Sequence, residues 1–152
     1  MKILEILTPK RLIGNLGERA AVKYLRKSKY KIIKKNYTAV GSEIDVIAEK
    51  DGVTAFIEVK TRNVKHLGYK EARPASSVTP EKQRKIIKAA SYYQAHNRPK
   101  GRLRFDIIEV YTEGEGLNVK VKDIKHLIGT FDKNSAFGPE YHYRKKKEES
   151  VL

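Results

Sequence analysis

Apolar positions in this chain change their period several times, and each change marks an element. Leu16, Ala20, Ala21, Tyr24 and Leu25 recur three and four residues apart, the spacing of one helical face. Gly14-Asn15-Leu16-Gly17-Glu18 reads as the opening of that helix, with Asn15 as N-cap and Glu18 at N3, as in a capping box. Ser28-Lys29 ends it. Residues 30–37 form a first strand, with Ile32 and Ile33 set between lysines. Strands over 43–49 and 53–62 flank Asp51-Gly52, a dipeptide that tolerates the positive φ of a type I′ turn and predicts a tight hairpin. Residues 63–77 read as a loop. Thr79-Pro80 starts a second helix, because Thr caps well and Pro suits the first helical position. Ile86, Ile87, Ala90 and Tyr93 make its buried stripe, and Arg98-Pro99-Lys100-Gly101 stops it. Strands over 103–111 and 117–121 follow. The order helix, three strands, helix, two strands predicts an α/β domain with a mixed central sheet flanked by helices. It sets a lead segment at 1–13, a domain at 14–131 and a basic, disordered tail at 132–152.

The hairpin carries acids where apolar residues belong. Counting outward from Asp51-Gly52, Lys50 faces Val53, Asp45 faces Glu58 and Glu43 faces Lys60. All four of these outer side chains fall on one face, since strand side chains repeat with period two. Directly opposed Cβ atoms are roughly 4.5–5.5 Å apart, and like charges there destabilise a sheet. The neighbours Ile44, Val46, Ile57 and Val59 are apolar, so Asp45 and Glu58 do not belong to a solvated face. A shared divalent cation reconciles them. Glu43 opposite Lys60 reads as an ordinary cross-strand ion pair.

Charge widens the picture. The net charge of the 152 residues is +15, with 33 Lys and Arg against 18 Asp and Glu. Residues 132–152 hold five Lys and Arg against four Asp and Glu, so the excess belongs to the body of the chain. A basic domain favours a polyanionic partner, with DNA ahead of RNA and an anionic membrane surface as the further candidate. No apolar run approaches the ~20 residues of a membrane span, and the first residues lack the apolar stretch of a signal peptide, so no membrane role is expected. Cysteine is absent, which excludes disulfides, thiol nucleophiles and thiolate zinc sites and fits a reducing cytoplasm.

Carboxylates are hard oxygen ligands, which points to Mg²⁺ or Mn²⁺ rather than zinc. Lys60, two residues beyond Glu58 on the same face, can hold an attacking water or neutralise charge at phosphorus. An acidic pair, Glu-x-Lys and a basic body together describe metal-assisted phosphodiester hydrolysis. Glu18 reads from its spacing as a cap, although it shares a helical side with Val22 and Leu25. Lys82, Arg84, Lys85 and Lys88 form a candidate phosphate-facing side of the second helix. Arg104 and Asp106 read as a structural pair, and His66, His96, His126 and His142 show no ligand spacing.

The series Gly14-x-x-Gly17-Glu18-x-x-Ala21-x-x-Tyr24-Leu25, Asn36-Tyr37, Gly41-Ser42-Glu43-Ile44-Asp45, Phe56-Ile57-Glu58-Val59-Lys60-Thr61-Arg62, Lys82-Gln83 and Arg104-Phe105-Asp106 resembles the bacterial YraN-like family. That family is in turn similar to restriction-endonuclease-like nucleases of the PD-(D/E)xK type and to Holliday-junction resolvases. The resemblance covers residues 14–131. It implies a restriction-endonuclease-like fold, Asp45 as the motif aspartate, and Glu58 and Lys60 as the Glu-x-Lys pair. It adds Glu18 as a further acid and the Val59 carbonyl as a further ligand, with Glu43, Arg62 and Gln83 in support. It departs from the family where Gly41-Ser42 replaces Gly-Gly and where Thr38 and Val40 replace arginines. The implied activity is a Mg²⁺-dependent endonuclease on DNA, including branched DNA, for which a homodimer would bring two sites to two strands. The alternatives are a non-catalytic nucleic-acid-binding module on the same fold, or a factor associated with RNA or the ribosome.

Overall fold

The computed structural model describes residues 9–64 and 78–133. Of the expected loop 63–77, residues 65–77 lie outside the described residues, as do the tail run Tyr141–Lys147, His66 and His142, while Asn63 ends a strand.

Helix α1 spans Pro9–Lys27, β1 Lys31–Ala39, β2 Ser42–Lys50 and β3 Val53–Asn63. Helix α2 spans Pro80–Asn97, β4 Arg102–Glu113 and β5 Lys120–Phe131, with a 3₁₀ turn at Gly116–Asn118. The five strands form one mixed sheet in the order β1-β2-β3-β4-β5. Only β3 and β4 run parallel, and α2 lies between them in the chain, as a parallel pair requires of its crossover.

Alternation along β3 sorts the core into two layers. Ala55 and Ile57 pack with Ala21, Val22 and Leu25 of α1. Phe56 packs on the other face with Ile86, Ala89, Ala90 and Tyr93 of α2. The sheet is therefore covered by one helix on each face. The expected α/β class with a mixed central sheet is what the chain adopts.

Two elements differ from expectation by more than two residues at an end. The helix that carries Glu18 already runs from Pro9, upstream of the expected opening at Gly14. Asn15 and Glu18 are then interior helix positions, and the capping box does not form. The last strand is longer and later than 117–121, because most of Lys120–Phe131 is exposed. An exposed edge strand leaves no apolar alternation to read.

The hairpin follows the predicted register. Lys50 faces Val53, and Asp51 and Gly52 have φ of 50° and 73°, the left-handed pair of a type I′ turn. Gly101 (φ 89°) lies beneath it, where a Cβ would sit 2.0 Å from the Gly52 carbonyl oxygen. Thr79 caps α2 as expected, accepting the Lys82 amide at 3.2 Å.

Candidate active site

The β2–β3 ladder ends at Val46↔Ile57, one position before Asp45 and Glu58. The next residue of β3 to seek a backbone partner, Val59, finds a side chain instead. Its amide donates to Asp45 Oδ2 at 2.8 Å. Ile44 meanwhile pairs with Tyr37 of β1. Asp45 and Glu58 are thus not a formal ladder pair, which corrects the register at that one position. They remain neighbours in a wedge where β2 leaves β3, with Glu58 reached by Lys82 of α2 and Asp45 lining the α1 side. The N–H and C=O of one extended residue point to the same side of a strand, so the Val59 carbonyl also faces this wedge.

Glu58 is buried, at 6% exposure. Burial, and then the nearby Asp45 carboxylate, push its carboxyl up to about 7. Asp45 is raised too, by burial, against the lowering effects of the Val59 amide, Glu58, Lys82 and Lys60. Glu58 Oε1 takes two lysines, Lys60 Nζ at 3.6 Å and Lys82 Nζ at 3.8 Å. Glu58 Oε2 is buried with no hydrogen-bond partner. Gln83 donates through Nε2 to the Val78 carbonyl at 3.0 Å, while its Oε1 is likewise buried and unpartnered.

Helix α1 enters from the side. Gly17 is pressed on β3 so closely that a Cβ there would lie 1.7 Å from Thr61 Oγ1. That contact carries the following residue, Glu18, toward the wedge. The Glu18 carboxyl is raised by burial, then by the charges of Asp45 and Glu43. Among the described residues no three acid or imidazole groups converge tightly enough to hold an ion unaided. The close acids are Asp45 and Glu58, with Glu18 approaching from α1.

Other expectations are redistributed. Lys60 turns to Glu58, and no Glu43–Lys60 pair forms among the described residues. Glu43 is exposed on β2. Lys82, expected on a phosphate-facing helix side, leans onto Glu58, and Lys85 pairs with Glu81 at 3.7 Å. Arg84 is half-buried and Lys88 exposed, so the four cations are not one open surface. Arg62 is half-buried, with its Nε unpartnered.

Glu109 and the place of His126 escaped sequence reasoning. Glu109 is fully buried beside Lys60 in the β3–β4 register, and it accepts a short hydrogen bond from the Tyr111 hydroxyl. Its period-two spacing on an apolar strand was the available signal. On the α1 face, Asp106 gathers Arg104 and His126, each at 2.8 Å, and the Gly129 amide at 2.9 Å. Arg104 also donates to Tyr30 at 2.9 Å. This cluster is fully satisfied and stands on the opposite side of the sheet from Glu58. It confirms the structural reading of Arg104–Asp106 and places His126 inside it.

The chain's relatives share this framework. Residues 17–110 match the model of the uncharacterised protein family UPF0102, a span that holds Glu18, Asp45, Glu58, Lys60 and Gln83. A UPF0102 protein of Caldanaerobacter subterraneus subsp. tengcongensis is 39% identical over 123 residues, covering 80% of this chain and 96% of its own. One from Chlorobaculum parvum is 41% identical over 121 residues, covering 78% and 91%. One from Clostridioides difficile is 40% identical over 122 residues, covering 78% and 95%. With the family model matching most of the chain, and relatives of this identity aligned over nearly their whole length, the chain belongs to the UPF0102 family, the YraN-like group that its motifs resemble.

Proposed function

We propose that this protein is a divalent-metal-dependent endonuclease acting on DNA, with Asp45 and Glu58 as its metal ligands. The observation that carries the reading is Glu58, whose Oε2 is buried and unpartnered beside a second carboxylate. Buried polar atoms are nearly always satisfied, and buried like charges are retained mostly where function needs them. Hard oxygen donors from two carboxylates suit Mg²⁺ or Mn²⁺, whose remaining ligands come from water and substrate phosphate. The Val59 carbonyl, facing the wedge, is the backbone donor available to complete the set. A cation bound there would neutralise charge at phosphorus and acidify a water.

The chain's own groups divide the remaining work. Val59 fixes the Asp45 carboxylate through Oδ2 and leaves Oδ1 for the cation. Lys60 and Lys82 hold Glu58 through Oε1 and leave Oε2. Lys60, one-third exposed, is the group able to reach an attacking water or a phosphate oxygen. Gln83 Oε1 is an acceptor that can orient that water. Glu18 adds negative charge at the α1 side. No described helix is long and apolar enough to cross a membrane, and a cytoplasmic DNA substrate is the one this reading takes.

The test is cleavage of nicked, flapped and four-way DNA in Mg²⁺ or Mn²⁺. Wild type should cut at least one of these and Asp45→Asn none. A wild type that cuts nothing, or an Asp45→Asn protein that cuts equally well, removes the catalytic claim.

A further inference from the structure

The acidic wedge opens into a groove of about 480 Å³ between α1 and the β1–β2 edge. Glu18 and Asp45 line one part of it. Arg19, Lys23 and Arg26 of α1 and Lys35 of β1 line it too. All four cations are exposed, and among the described residues none of them is ion-paired. Positions 19, 23 and 26 share one helical side. At about 1.5 Å per residue they span roughly 10 Å, close to three phosphate-to-phosphate steps of one duplex strand at about 3.4 Å of duplex axis per step.

We infer that this groove is the track on which the phosphodiester backbone of DNA lies as it enters the site. Arg19, Lys23, Arg26 and Lys35 would take phosphates on one side of the scissile bond. The two acids at the groove's end would repel an approaching phosphate unless a cation lay between them, which places the scissile phosphate at the Asp45 end. The inference rests on the nuclease reading, and it moves the phosphate contacts from α2 to α1. On α2, Lys82 and Lys85 are engaged with Glu58 and Glu81.

The test uses full-length protein and a blunt duplex DNA in EDTA, with binding measured across a salt series. Glutamine keeps the helix, so Arg19→Gln/Lys23→Gln/Arg26→Gln should melt like wild type. Its log–log salt slope should fall by two to three, at about 0.9 per lost phosphate contact, with affinity down at least tenfold. Lys85→Gln/Lys88→Gln is the control and should bind as wild type. A groove variant that binds like wild type, or a wild type that does not bind duplex DNA, overturns the track. Cleavage at saturating DNA separates this from the site itself. The groove variant should keep the maximal rate with a raised KM, whereas loss of cutting in wild type would count against the metal site and not against the groove.

Discussion

Asp45 Oδ2 accepts the Val59 amide at 2.8 Å, where Ile44 would otherwise have continued the ladder. One carboxylate oxygen therefore holds two strands at the angle that opens the site. Asparagine retains an acceptor at that position and alanine does not. Asp45→Ala should be less stable than Asp45→Asn by about 1–3 kcal/mol, the cost of an unmade buried bond. Urea denaturation of the two variants in EDTA measures the difference.

Gly17 sets the distance between α1 and β3. A methyl group would fall 1.7 Å from Thr61 Oγ1, so Gly17→Ala must displace the helix or the strand. Overpacking of this kind costs about 1–3 kcal/mol. Gly14 has open space around it, and Gly14→Ala should stabilise by about 0.5–1 kcal/mol through helix propensity alone. Thermal melts should move in opposite directions. Gly17→Ala should also weaken activity, since it shifts Glu18.

The acidic pair predicts how stability depends on pH. Burial and Asp45 lift Glu58 from 4.5 to about 7. Across that interval the folded chain holds a proton that the unfolded chain has released, so stability falls as pH rises from 4.5 to about 7. The loss attributable to Glu58 is at most about 3 kcal/mol at 1.36 kcal/mol per pH unit. In EDTA the melting temperature should drop over this range, and Glu58→Gln should flatten the profile. A profile equally steep in Glu58→Gln would assign the dependence elsewhere.

Asp106 works in the other direction. Burial acts to raise its carboxyl, but His126, Arg104 and the Gly129 amide outweigh it and hold the group below the usual carboxylate range. Its contribution is present above an ordinary carboxyl pKa and is lost as pH falls through the depressed value. Removing it strands a partly buried arginine, and Asp106→Ala should cost about 3–5 kcal/mol. The DNA salt slope should not change, because neither Asp106 nor any of its partners lines the groove that holds Arg19, Lys23, Arg26 and Lys35.

Much of this arrangement was legible in the chain because local rules agreed with the fold. Asp51-Gly52 fixed the hairpin register, and Thr79-Pro80 fixed the start of α2. The register in turn brought Asp45, Glu58 and Lys60 to one face. What was not legible depends on contacts between distant segments. The ladder's end at Val46 follows from β2 turning toward β1. The approach of Glu18 follows from Gly17 against Thr61. Lys82 reads as a surface cation until the first turn of α2 is set over Glu58. Arg19, Lys23 and Arg26 look like an ordinary solvated helix side until Lys35 and Asp45 are placed across from them. β5 hid because an exposed edge carries no apolar pattern.

Calorimetric titration of Mn²⁺ near neutral pH tests most directly whether Asp45 and Glu58 share a cation. Wild type should bind one ion per chain and release protons as Glu58 ionises, and both Asp45→Asn and Glu58→Gln should lose the heat. No binding in wild type, or binding that survives both substitutions, would contradict the shared-cation site.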